Sequence, residues 1–169
     1  MIAIIAEKPS VGQEIARVVG ATEKKDGYMV TWALGHLVSL ALPGTYGYTR
    51  TTAEDLPMLP EPFRLVERQI RTDRGMVTDI AAGKQLKIID EVFSKCDSII
   101  VATDAGREGE LIFRWIYSHL GCTKPFKRLW ISSLTDEAIR KGMADLREGH
   151  EYDSLYAAAD SRAKADWLV

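Results

Sequence analysis

A chain of 169 residues suits one domain, or one domain with a small appendage. With 46% hydrophobic and 27% charged residues it has the composition of a folded globule, not of a disordered chain. Its 22 basic and 24 acidic residues leave a net charge of -2, which excludes a basic nucleic-acid coat but not a local basic groove.

Ile2 to Ala6 is an unbroken apolar run that stops at Glu7-Lys8. Such a run predicts a central parallel strand covered on both faces, and it lacks the basic start and cleavage site of a signal peptide. Ser10, with Gln13 three residues on, predicts a capping box. Val11, Ile15, Val18 and Val19 then recur at helical spacing and Gly20 offers a stop. Tyr28 to Leu34 reads as a strand, followed by Gly35-His36-Leu37. Residues 43–63 hold Pro43, Pro57, Pro60 and Pro62 and predict a long irregular surface excursion. Arg64, Arg68, Arg71 and Arg74 make a locally basic stretch, read as a solvated face rather than a DNA site. A long helix follows with Leu86, Ile89, Val92 and Phe93 inward, although Gly83 weakens its first half.

Ser98 to Thr103 repeats the buried-strand signature and ends at Asp104. The loop from Asp104 to Glu110 leads into a helix with Leu111, Ile112, Trp115, Ile116 and Leu120 on one face. Lys127 to Ile131 is a further short strand, and Thr135 caps a helix carrying Ile139, Met143 and Leu146. Asp153 to Leu168 is alanine-rich and helical, and its abrupt stop is read as a cut within a longer protein. No stretch reaches the length of a transmembrane helix, and Cys96 and Cys122 have neither metal-ligand spacing nor a disulfide framework. A reducing cytoplasm and no membrane are therefore expected.

Alternating strands and helices imply an α/β fold: a mostly parallel sheet with helices on both faces. Ligands of such sheets sit outside the carboxyl ends of the strands, where Glu7 and Asp104 both fall. Two converging carboxylates resist joint ionisation, and a divalent cation removes the conflict. Oxygen ligands with few other donors favour Mg2+. Glu108, four residues after Asp104, is a candidate third ligand, whereas Glu110 is read as favouring its helix N-terminus. Lys8 and Arg107 add positive charge, and the mixture suits a phosphodiester.

Five segments then appear in a telling order: Ala6-Glu7-Lys8-Pro9-Ser10, Gly35-His36-Leu37, Thr103 to Glu110, Arg128 to Thr135 and Ala163 to Val169. Together they resemble the N-terminal region of the type IA DNA topoisomerases, in particular the bacterial topoisomerase III branch. The resemblance implies a TOPRIM fold, Rossmann-like, with a four-stranded sheet. It implies residues 1–150 as that domain and 151–169 as the start of a helical DNA-binding domain. It also implies an enzyme that cleaves and rejoins single DNA strands through a 5′-phosphotyrosine, so that another strand passes. Glu7 is then the proton donor to the leaving 3′-oxygen, Lys8 the basic group at the scissile phosphate, and Glu7, Asp104 and Glu108 the Mg2+ ligands. His36, Arg107 and Arg162 become DNA contacts.

Two departures stand out. Many members carry a second aspartate where this chain has Gly106, which leaves one carboxylate fewer. The nucleophilic tyrosine belongs to a later domain, and Tyr28, Tyr46, Tyr48, Tyr117, Tyr152 and Tyr156 lie in no matching context. Without the resemblance, His36 is an ordinary loop histidine and Arg162 pairs with Asp166 along a helix. Trp115, Trp130 and Trp167 are read as core residues, with Trp32 undecided. The competing functions are a TOPRIM domain from a nuclease or primase, and a binding module of the same fold without catalysis.

Overall fold

In the computed structural model, which describes residues 1–21, 27–47, 60 and 62–168, the first apolar run is strand β1 (Ile2–Ala6). β1 lies between β2 (Tyr28–Trp32) and β7 (Ser98–Ala102) and is parallel to both. β8 (Phe126–Arg128) extends the sheet in parallel beyond β7, so four parallel strands form the expected core. A two-residue strand, β9 (Arg147–Glu148), adds an antiparallel edge.

Alternation along the central strands divides the core in two, because successive side chains point to opposite faces. Ile4, Ala6, Ile100 and Ala102 face α1 (Pro9–Val19) and α4 (Asp136–Ala144), where Val11, Ile15 and Ile139 are buried. Ala3, Ile5, Ile99 and Val101 face the other way. There they meet α2 (Ile80–Lys95), α3 (Arg107–His119) and α5 (Asp153–Trp167) through Leu86, Ile89, Phe93, Phe113, Ile116 and Ala159. Among the described residues no helix is long and apolar enough to cross a membrane. Cys96 is buried, Cys122 half-buried, and both are free.

Three local expectations change. Ser10 does not cap α1: Lys8 holds the cap position without a side-chain bond, and Pro9 opens the helix. Proline suits that place, since its fixed φ is helical and its missing N–H has no partner to lose. Gly20 does end α1, with φ of 75° and its N–H on the carbonyls of Ala16 and Arg17. The basic stretch after residue 64 is solvated as expected at Arg64, Arg71 and Arg74, but it is built from strands that the sequence did not announce: β3 (Val38–Leu40) pairs with β4 (Leu65–Glu67), and β5 (Gln69–Thr72) forms a hairpin with β6 (Gly75–Thr78). Within it Arg68 is structural, bound to Asp79 at 2.8 Å and to the Leu34 carbonyl at 2.8 Å. The strand expected over Lys127 to Ile131 sits earlier, at Phe126–Arg128.

Of the excursion over residues 43–63, Pro43–Tyr46 forms a 3₁₀ turn, while 48–59 and 61, including Tyr48, lie outside the described residues. The end of α5 is tied to this region. Trp167 donates to the Ala41 carbonyl at 2.9 Å and sets its ring against the edges of Tyr46 and Phe63. Trp115 is a core residue as expected, and Trp130 is half-buried and stacked on Tyr152 with centroids 4.7 Å apart.

Candidate functional site at the carboxyl ends of the strands

The register Ala6↔Ala102 brings the ends of β1 and β7 level, so the two chains leave the sheet side by side. Glu7 follows β1 directly and Asp104 follows β7 after Thr103. The Asp104 N–H donates to Glu7 Oε1 at 3.3 Å. Burial, and after it the neighbouring Asp104 carboxyl, pushes the half-buried Glu7 carboxyl above its ordinary value. Glu7 thus holds a proton to higher pH than a solvated glutamate.

Glu108 takes another partner. Its Oε2 lies 2.9 Å from Nε2 of His36, whose ring leans on Trp115 with centroids 5.9 Å apart. Among the described residues no three carboxylate, imidazole or thiol groups are grouped to hold one ion. Two expected ligands, Glu7 and Asp104, therefore meet, and the third stands with an expected DNA contact.

His36 and Glu108 open onto a cleft of about 260 Å³ between α3 and α5, lined also by Ser39, Trp115 and Arg162. Three residues distant in sequence, His36, Glu108 and Arg162, share this space. Arg162 is exposed and forms no ion pair with Asp166; the pair on α5 is Lys164 with Asp160 at 2.8 Å. Lys8 and Arg107 are exposed at the first turns of α1 and α3 and have no ion pair among the described residues. Asp104 borders a separate hollow of about 430 Å³ with Val11, Ile15, Ser132 and Ser133. A larger apolar hollow, about 750 Å³, runs along β2 and α1 and contains none of the expected site residues.

The loop between Asp104 and α3 is held at close quarters. A Cβ at Gly109 would lie 1.9 Å from the Asp104 carbonyl oxygen, so only glycine fits there. The Thr103 hydroxyl donates to the Gly109 carbonyl at 2.8 Å. Beneath it is a buried ion pair that the sequence pattern does not announce: Arg128 Nε lies 2.8 Å from Glu110 Oε1, both side chains being almost wholly enclosed. Glu110 is thus a core residue, not an exposed helix-end acid. Burial opposes both charges, pushing Glu110 up and Arg128 down. Enclosed charges persist only where the lost water is replaced by partners. Glu110 also meets Arg114 at 3.2 Å, and Arg128 donates to the Val101 carbonyl at 2.9 Å and the Asp104 carbonyl at 2.7 Å. The signal for this was faint: Glu110 and Arg114 stand four apart on one helix face, and Arg128 directly precedes the apolar run Leu129-Trp130-Ile131.

The Glu7–Asp104 pair suits a divalent cation on the chemistry of its donors. Both are oxygen ligands, they stand next to each other, and the burial that raises Glu7 is relieved by a positive ion.

Comparison with known proteins agrees with this architecture. The chain is 47% identical to DNA topoisomerase 3 of Bacillus subtilis (strain 168) over 98% of its length, covering 23% of that protein. It is 49% identical to DNA topoisomerase 3 of Bacillus cereus (strain ATCC 10987 / NRS 248), again over 98% of the chain and 23% of the relative. It therefore spans about a quarter of the curated relatives it matches. Full-length topoisomerase I from Thermotoga maritima superposes on 86% of the chain and 21% of its own length, with a TM-score of 0.54 at 20% identity, a likeness of fold. Residues 2–134 match the Toprim domain, and the chain belongs to that family.

Proposed function

We propose that this chain is the cation-binding Toprim part of a type IA DNA topoisomerase of the topoisomerase 3 kind, acting on single-stranded segments of DNA in the bacterial cytoplasm. The observation that carries the reading is the meeting of Glu7 and Asp104 at the ends of two adjacent parallel strands, beside a cleft holding His36, Glu108 and Arg162. The likeness to DNA topoisomerase 3 proteins supports it.

Within that reading the roles follow from local chemistry. Glu7, raised by burial, keeps the proton that the leaving 3′-oxygen needs when the strand is cut, and takes it back on rejoining. Lys8 stands at the N-terminus of α1, where helix amides and its own charge attract a phosphate. Asp104 would hold Mg2+, joined by Glu7 once its proton has passed to the 3′-oxygen and by Glu108 once released from His36. The ion supplies charge stabilisation at the phosphodiester. Arg162, Arg107 and His36 hold the strand's backbone along the cleft. The attacking tyrosine comes from elsewhere in the longer protein, since none of the described tyrosines lines the hollow beside Asp104 or the cleft at His36 and Glu108. Residues 1–150 then form the Toprim domain, and α5 begins the next.

The test is cleavage of a single-stranded oligonucleotide by the full-length protein carrying Glu7→Gln. Loss of a positioned proton donor lowers cleavage by roughly 100- to 10,000-fold, while oligonucleotide binding stays near that of the unaltered protein. Normal cleavage by Glu7→Gln would overturn the assignment. Robust nicking of DNA by the 169-residue chain alone would point to a nuclease.

A further inference from the structure

Arg128, at the end of β8, heads the fully buried side chains of the described residues by size, and it is 1% exposed. An arginine in that place is costly unless its donors find partners; its Nε, 2.8 Å from Glu110 Oε1, is held by charge and makes no hydrogen bond, and the other two nitrogens each find a carbonyl. Its guanidinium is turned toward the end of β7, with one nitrogen on the Val101 carbonyl and another on that of Asp104. Glu110 supplies the counter-charge, and the indole of Trp130 lies 5.3 Å from the guanidinium carbon.

The contact with Asp104 is the informative one. The Asp104 N–H is committed to Glu7, and its C=O is committed to Arg128. The same oxygen abuts Gly109 so closely that it cannot shift toward α3. Both peptide groups flanking the Asp104 side chain are thereby held, one by the opposite strand end and one from below. Arg114 provides the contrast. It shares Glu110, but its other bonds go to Gly149 and Asp153, away from the loop.

We propose that Arg128 is a positioning residue: its guanidinium, neutralised by Glu110, fixes the Asp104 backbone so that the Asp104 carboxylate meets Glu7 in the geometry a divalent cation needs. The cation rests on the function proposed above; the fixing of the loop does not. Lysine at this position keeps the charge but offers no planar fork to reach two carbonyls at once.

The experiment uses the 169-residue chain, unaltered and as Arg128→Lys and Arg114→Lys. Without metal, NMR reads the exchange rate of the Asp104 amide with water. Mg2+ is then titrated against the same amide signals. In Arg128→Lys the amide exchanges about tenfold faster and Mg2+ binds about tenfold more weakly, the scale set by losing a group that orients a ligand. Arg114→Lys lowers the melting temperature but leaves both readings near those of the unaltered chain. The proposal is overturned if Arg128→Lys changes only the melting temperature, or if Arg114→Lys moves the loop readings equally. If the unaltered chain takes no Mg2+, the cation role fails, and the metal-free exchange alone decides for or against Arg128. If Arg128→Lys does not fold, the unaltered chain decides. A coupling across the hydrogen bond from an Arg128 side-chain nitrogen to the Asp104 carbonyl carbon supports the proposal, and a freely exchanging, uncoupled guanidinium refutes it.

Discussion

Two influences raise the Glu7 carboxyl, against a smaller opposing pull from the Asp104 N–H and from His36. Burial is the larger and the Asp104 carboxyl the smaller, and both favour the protonated form. Asp104→Asn removes the charge but not the burial. The Glu7 midpoint, read from carboxyl carbon shifts in an NMR titration, therefore falls in that variant yet stays above that of a solvated glutamate. A midpoint that does not move would mean that the two carboxyls do not sense each other. At this scale the sequence was most legible where chemistry coincides with a strand end. Glu7 and Asp104 could be paired from two apolar runs alone. Glu108 could not be placed, because the partner that holds it, His36, lies 72 residues away on another element. Arg128 was invisible for a related reason. A charged residue in a short strand reads as surface, and only the three-dimensional neighbourhood shows Glu110 waiting for it.

Element boundaries followed their caps. Thr135 accepts from the Ala138 N–H, as its position before Asp136 and Glu137 led one to expect. The start of α2 was less legible, for its cap, Asp79, lies between a hairpin and the helix and serves both. Its side chain accepts from Ala81 N–H and binds Arg68 of the strand segment. The bond with Arg68 holds the Asp79 carboxyl below its ordinary value. A carboxyl lowered in the folded state adds stability above its unfolded pKa and loses it as pH falls through the folded one. Asp79→Ala therefore melts earlier than the unaltered chain at neutral pH, and the gap between the two melting curves closes below about pH 4. A gap of constant size across that range would show that the charge of Asp79 is idle. The β5–β6 hairpin was hidden in the sequence because its side chains are almost all exposed and its alternation marks no buried face.

For the molecule as a whole, the fold class was legible because apolar strands and amphipathic helices alternate, and a parallel sheet is what such alternation builds. The added β9 edge was not, since two residues carry no pattern. The proposed division of labour predicts a different defect at each end of the site. With the longer protein, Arg162→Ala weakens binding of a single-stranded oligonucleotide and flattens the logarithmic salt dependence by about 0.7, the share of one neutralised phosphate on a single strand. Fluorescence anisotropy across a salt series measures both. Cleavage at saturating DNA falls less than in Glu7→Gln. An unchanged slope with weaker binding would take Arg162 off the phosphate backbone.

The rung that joins Ala6 to Ala102 has a consequence for how this chain tolerates change in length. Glu7 and Asp104 are 97 residues apart along the backbone, yet the interval between them is set by two neighbouring strands and not by the path connecting them. Everything that intervenes can grow or shrink at its turns without altering that interval, as long as β1 and β7 stay in step. The Asp73–Arg74 turn of the hairpin is exposed and lies outside the parallel sheet. It is the natural place to insert a peptide or attach a reporter dye, leaving the two acids as far apart as they were.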